Sequence, residues 1–256
     1  MKLRTQNYEH AYSLADLHMH TTASDGTMSP QAVVNAVLLL QVTTHPDLRV
    51  IAITDHDTCL GAFTAQEYLK TYHEYAKLEV IIGAEISSAD GHILALNIRK
   101  EVPRNLSASE TIAAIHEAGG LAIAAHPYAY LPFLKELRGI KGLIADPVIG
   151  AELDAIEICN ANPTEVLNNH FTRWINRRSL KRPEVGGTDS HFFSALGHAG
   201  TRFPGSTAED LLTAIRKGST RSTGSVYGPL ALFRYFRERW AWKEFCLADA
   251  VRSHTY

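Results

Sequence analysis

The sequence predicts an α/β fold built on a mostly parallel sheet. Three observations carry this. Short apolar runs rich in β-forming residues recur along the chain, stretches with helical spacing separate them, and run after run ends on a polar residue able to bind metal.

The first strand leads into "DLHMHTTASDG", where His18 and His20 stand one residue apart. Side chains alternate along a strand, so both imidazoles point the same way while Met19 turns back into the packing. That is chelating geometry, and Asp25 follows five residues later. "SPQAVVNAVLLLQ" reads as a helix with Ser29 as N-cap and Pro30 at its first position. "VIAIT" is a strand running into "DHD", which holds His56 and Asp57, and "GAFTAQEYLKTYHEYAKL" is helical in spacing. "EVIIGA" runs into Glu85, and "HILALNI" begins, against the pattern, with its candidate ligand His92. "SASETIAAIHEAGG" is a helix opened by a capping box of Ser107 and Glu110 and stopped by a glycine pair. "LAIAA" runs into His126 and "AIEIC" into "NAN". After the helical "PTEVLNNHFTRWINRRSL", the strand "EVGG" runs into "TDSH" with Asp189 and His191. "TAEDLLTAIRKGS" is a last helix with Thr207 as cap.

Six or seven strands result, and parallel α/β folds gather functional groups at strand C-terminal ends. Residues 1–225 are expected to form one unit and 226–256 an appended aromatic helical tail. There Leu232, Phe236 and Trp240 share a helical face expected to close over the hydrophobic surface.

Composition narrows the function. A chain of 256 residues with 45% hydrophobic and 20% charged residues is that of a soluble globular protein. A net charge of −2 supplies no global field to recruit nucleic acid or an anionic membrane. Cys59, Cys159 and Cys246 share no CxxC spacing and suit a reducing cytoplasm. Neither a signal-peptide core nor a membrane-length run is present, so a soluble, cytoplasmic protein is expected.

"DLHMHTTASDG", "ITDHDT", "GAEISS…GHILAL", "AAHPY" and "GGTDSH" together resemble the ordered motifs of the PHP family, the polymerase and histidinol phosphatase superfamily. The resemblance spans roughly residues 16 to 191. It implies a distorted (β/α)7 barrel with a trinuclear metal cluster at the C-terminal ends of the strands. His18, His20, Glu85 and Asp189 would hold the first metal, and Glu85 would bridge to a second held also by His92 and His126. Asp25, His56 and His191 would hold the third. Imidazole and carboxylate ligation suits Mn²⁺, Fe²⁺ or Zn²⁺.

The implied activity is that of a stand-alone metal-dependent phosphoesterase, in which metal-activated hydroxide attacks phosphorus. Glu85, Asp189 and His191 are its expected catalytic residues. Arg177 is the candidate fork for the substrate phosphate, with Arg173, Arg178 and Arg202 behind it. Asp16 and Asp57, flanking ligands, are candidates to orient imidazoles. The favoured substrate is a small phosphomonoester, a nucleotide or short oligonucleotide ahead of histidinol phosphate. A phosphodiesterase or exonuclease, an amidohydrolase and a non-catalytic metal-stabilised module remain the alternatives. The amidohydrolase reading is disfavoured because no lysine ends a predicted strand.

Overall fold

The N-terminal strand β1 (Tyr12–Asp16) sits between two partners from opposite ends of the chain. It pairs in parallel with β2 (Leu48–Ile53) and antiparallel with β10 (Ala199–Pro204). The computed structural model describes residues 12–128, 130–131, 136–137, 152–228, 230, 233–234 and 237. The tail positions Leu232, Phe236 and Trp240 lie outside these residues.

Beyond β2 the sheet continues through β3 (Glu79–Ser88), β4 (Gly91–Leu96) and β5 (Leu121–Ala124). It ends on β8 (Ala155–Asn160) and β9 (Glu184–Gly187), and on its other side β11 (Arg221–Gly224) extends β10. A separate short hairpin joins β6 (Tyr130–Leu131) to β7 (Glu136–Leu137). The nine-stranded sheet curls into a nearly closed barrel. At the end where the parallel strands finish, the segments after β1 and β9 meet: the Asp189 N–H donates to the His18 carbonyl at 2.8 Å and the His20 N–H to the Ser190 carbonyl at 2.9 Å. Lower down, the Thr201 hydroxyl on β10 binds both the N–H and the carbonyl of Gly186 on β9, each at 2.9 Å. The expected α/β barrel is what the chain forms.

The helices begin where their caps predict. In α1 (Pro30–Thr43) the Ser29 side chain accepts from the Ala32 N–H. In α3 (Ala108–Glu117) the Ser107–Glu110 capping box closes in both directions, and Gly119 takes the left-handed turn after it at φ 82°. α5 (Ala208–Arg216) is capped by Thr207 with Asp210 in the same manner. Two helices are shorter than their patterns suggest. α2 (Leu60–Tyr72) stops at Tyr72, and the run after Pro163 splits into a 3-10 turn, α4 (Val166–Ile175) and a π turn (Asn176–Leu180).

Strand alternation divides the core. Ala15, Val50, Ala52, Ile81, Leu94, Ile123, Ala155, Val185 and Phe203 fill the barrel, and Leu211, Leu212 and Ile215 of α5 pack into the same cluster. The opposite faces of these strands pack on α1 and α2 through Ile51, Ile53, Val33 and Val37, and on α3 through Ile93, Ile112 and Ile115. The interior is therefore solid, and chemistry is confined to the strand ends.

Candidate metal centre

All nine residues singled out as ligands converge at one end of the barrel. His18 and His20 stand just past β1, His56 past β2, His126 past β5, and Asp189 and His191 past β9. His92 resolves an apparent exception. β4 runs antiparallel to β3 and β5, so its first residues, not its last, reach the metal-ligand end. Glu85 departs from expectation in detail: β3 runs on to Ser88, so Glu85 lies inside the strand, opposite Leu94. The β3–β4 hairpin extends the strand past the point where the apolar run stops.

Glu85 is the hub. One carboxylate oxygen lies 3.2 Å from Nε2 of both His18 and His20 and 3.4 Å from His56 Nδ1. The other lies 2.8 Å from His92 Nδ1 and 3.0 Å from His126 Nε2. Asp189 Oδ1 stands 3.4 and 3.3 Å from the same two nitrogens of His18 and His20. On the solvent side, Asp25 Oδ2 is 3.2 Å from His191 Nε2 and 3.9 Å from His56 Nε2. His18, His20, Glu85, His126 and Asp189 are buried, whereas Asp25, His56, His92 and His191 face an open rim.

The donor set fits divalent cations. Both ring nitrogens of His20 and Nδ1 of His126 are buried without a hydrogen-bond partner, and buried polar atoms are ordinarily paired. The two carboxylates approach His20 Nε2 closely yet off the hydrogen-bonding direction, as atoms sharing a common central ion do. The His191 Nδ1–H donates to the Asp189 carbonyl at 2.9 Å, which leaves Nε2, 3.2 Å from Asp25 Oδ2, as the ring nitrogen on the cluster side.

The electrostatics agree. Burial presses the His18 imidazole down, but Asp189, Glu157 and Glu85 together hold it well above its usual range. Burial likewise lowers His20, and its contacts with Asp189 and Glu85 carry it up to about 9. Against the opposing effect of burial, the surrounding imidazoles hold Glu85 and Asp189 well below the ordinary carboxylate range. The same field that draws protons onto these imidazoles draws metal cations to their lone pairs.

The expected orienting carboxylates are corrected. Asp16 accepts from the Thr188 N–H and hydroxyl and from the His18 backbone N–H, so it fixes the chain and not the ring. Asp57, in the left-handed region at φ 56°, accepts from the Ser87 N–H. Among the described residues neither carboxylate forms a hydrogen bond with an imidazole. The group that does so is Glu157, which the sequence reading passed over. Its Oε1 lies 3.0 Å from His18 Nδ1, while Oε2 accepts from the His126 N–H at 2.7 Å and from the Asn160 amide at 3.1 Å. Asn160 also donates to Asp189 Oδ2 at 3.2 Å. The available signal was phase, since Glu157 is two residues past Ala155 and shares its inner face. Asp55, also missed, accepts from the Thr21 N–H and hydroxyl and from the Ser24 hydroxyl, holding the loop that presents Asp25.

Arg177 is not brought to the cluster. With Arg173 it lines a cleft beside Pro183 and Glu184, at the start of β9, whereas Asp189 follows the end of that strand. Arg202, on β10, pairs with Asp47. The run of arginines after "NANPT" is carried to the other end of the barrel by α4 itself.

The PHP domain family model matches residues 16–251. An uncharacterised protein of Methanocaldococcus jannaschii is 35% identical over 161 residues, covering 60% of this chain and 86% of its own. The 5′–3′ exoribonuclease Rnm of Escherichia coli is 40% identical over 87 residues, 32% of this chain. The matched part is 27% of the exoribonuclease. Among solved structures, a two-domain protein of Bacteroides vulgatus described as containing a predicted PHP-like metal-dependent phosphoesterase superposes with a TM-score of 0.64 at 15% identity, covering 84% of this chain and 65% of that one. No described helix is long and apolar enough to cross a membrane.

Proposed function

The chain belongs to the PHP domain family, and from that premise we propose that it is a metal-dependent phosphoric ester hydrolase acting on a phosphomonoester, a nucleotide or short oligonucleotide. The observation that carries this reading is the nine-residue cluster, buried on one side and open to solvent on the other. His18, His20, Glu85 and Asp189 would hold one cation. Glu85, His92 and His126 would hold a second, and Asp25, His56 and His191 a third. Such cations supply an acidified water for attack and neutralise charge growing on the phosphoryl oxygens.

The chain's own residues prepare that chemistry. Glu157 accepts the His18 Nδ1 proton and leaves Nε2 facing the cluster. Asn160 engages Asp189 Oδ2, leaving Oδ1 beside His18 and His20. Glu85 gathers five imidazoles about one carboxylate, presenting both of its oxygens to the cluster. The open rim of Asp25, His56, His92 and His191 is where a phosphate would enter. The Rnm relative, named for exoribonuclease activity, supports a nucleotide-like substrate over histidinol phosphate.

The test is phosphate release by Mn²⁺-loaded protein from mononucleotides, short 5′-phosphorylated oligonucleotides, histidinol phosphate and a chromogenic phosphodiester. Turnover of the first two above the others is expected. Cleavage of the diester alone would move the protein to the phosphodiesterases, and no release from any would overturn the reading.

A further inference from the structure

α4 begins beside the metal centre and ends at the opposite end of the barrel, and its exposed face changes character along the way. At the metal end, Tyr128 lies two residues past His126 and its ring meets Phe171 edge-on at 4.9 Å. Phe171 stacks on Trp174 at 6.1 Å, and the Arg178 guanidinium sits over the Trp174 ring at 5.4 Å. Phe171 and Trp174 are 43% and 53% exposed, so each leaves ring surface to solvent.

The row then runs into the cleft of about 750 Å³ that holds Arg177. Arg173, Arg177, Lys181 and Arg182 reach it from the end of α4. Arg216, Lys217 and Arg221 reach it from the end of α5 and the start of β11. Among the described residues Glu184 is the only carboxylate in its lining, and it accepts from the Ser222 hydroxyl. None of these seven cations forms an ion pair among the described residues. Two donors of the lining residues, Arg182 Nε and the Thr220 hydroxyl, are buried without an acceptor. The backbone here is shaped for display. The π turn adds a residue to the helical repeat, and Lys181 closes it in the left-handed conformation at φ 51°, where glycine or asparagine is usual. Against a net charge of −2, seven cations and one carboxylate around one cleft make a local field that attracts anions.

We propose that the α4 face is a track for single-stranded nucleic acid, with bases stacked on Phe171 and Trp174, which Tyr128 backs from the core, and backbone phosphates held in the basic cleft. Exposed rings that lead into a basic groove are a general means of holding an unpaired strand without reading its sequence. α4 with its π turn spans 15 residues (Val166 to Leu180), on the order of 20 Å. That is the length of about six stacked nucleotides at ~3.4 Å each. The proposal rests on the phosphoesterase reading only for which end is processed: one terminus of the strand lies at the metal centre and its body along α4.

The experiment is fluorescence anisotropy with labelled single-stranded RNA of two to twelve nucleotides on the full, Mn²⁺-loaded chain. Affinity is expected to rise with length up to about six nucleotides and then level off, with a steep salt dependence. Arg216→Glu with Arg221→Glu, and separately Trp174→Ala, are expected to weaken twelve-nucleotide binding at least about tenfold. Turnover of a mononucleotide should be unchanged in both. Wild-type affinity in the charge-reversal variant overturns the track. So does equal affinity for the dinucleotide, or displacement of the RNA by inorganic tripolyphosphate at its own concentration, which would mark a small-polyanion site. Because binding is read without turnover, a strand that binds but is not hydrolysed sinks the phosphoesterase reading alone.

Discussion

Glu157→Gln is the sharpest test of how the cluster is built. The substitution conserves volume at a residue 1% exposed, so packing is retained. Oε2 already accepts from two donors, the His126 N–H and the Asn160 amide. The glutamine oxygen must stay there, and its NH₂ then falls where Oε1 stood, 3.0 Å from His18 Nδ1. Two N–H groups cannot face each other, so His18 shifts its proton to Nε2. That nitrogen is the one beside Glu85 and Asp189, and once protonated it has no lone pair for a cation. Loss of such an orienting partner weakens metal affinity about 10- to 100-fold. In free energy this is about 1.4–2.7 kcal/mol, at ~1.4 kcal/mol per tenfold. Calorimetric titration of the metal-free protein with Mn²⁺ measures it directly, with circular dichroism to verify the fold. If the variant is folded and its metal affinity equals wild type, Glu157 does not set the His18 tautomer and the reasoning fails.

Three further outcomes are expected. Glu85→Gln should abolish turnover and release metal, while His198→Ala, beyond the ligand motifs at the edge of β10, should leave both nearly intact; like behaviour in phosphate-release and elemental assays would remove Glu85 as the hub. Gly187→Ala should lower thermal stability by about 1–3 kcal/mol and weaken metal binding, because a Cβ there would come within 2.5 Å of His18 Cβ and 2.8 Å of its backbone nitrogen; an unchanged melting curve refutes it. Burial pushes the Cys59 and Cys159 thiols up to about 11, so at pH 8 both hold their protons and lack the reactive thiolate; peptide mass spectrometry after iodoacetamide should find them unmodified in native protein and alkylated after denaturation.

The side chains that converge at the candidate centre were legible because a strand end is a local event. An apolar run stops, and the next polar residue is placed by the sheet. Glu157 was not legible for the opposite reason. It lies inside an apolar run, and the ring it orients is 139 residues away, so nothing nearby marks it. β10 and β11 escaped because "AGTRFP" and "RSTG" have neither apolar runs nor strict alternation, and β10 forms by pairing with β1. His92 was visible as a residue but not as a position, since only the antiparallel turn of β4 explains why a strand begins at the site. Arg177 shows a limit of helical phase, which tells the face a side chain takes and not the end of the barrel it reaches.

The placement of β1 between the earliest and latest parts of the sheet has a consequence for synthesis. On the ribosome, the segment with His18 and His20 emerges first, yet one of its edges waits for β10 at residues 199–204. At ~5–20 residues per second, that wait is about 10–40 s. Throughout it the nascent chain offers an unpaired strand edge next to two imidazoles, an invitation to pair with a neighbouring chain. Premature termination before β10 should therefore yield aggregated product rather than a smaller soluble one, and the yield of folded protein is decided by how quickly β10 arrives to cover β1.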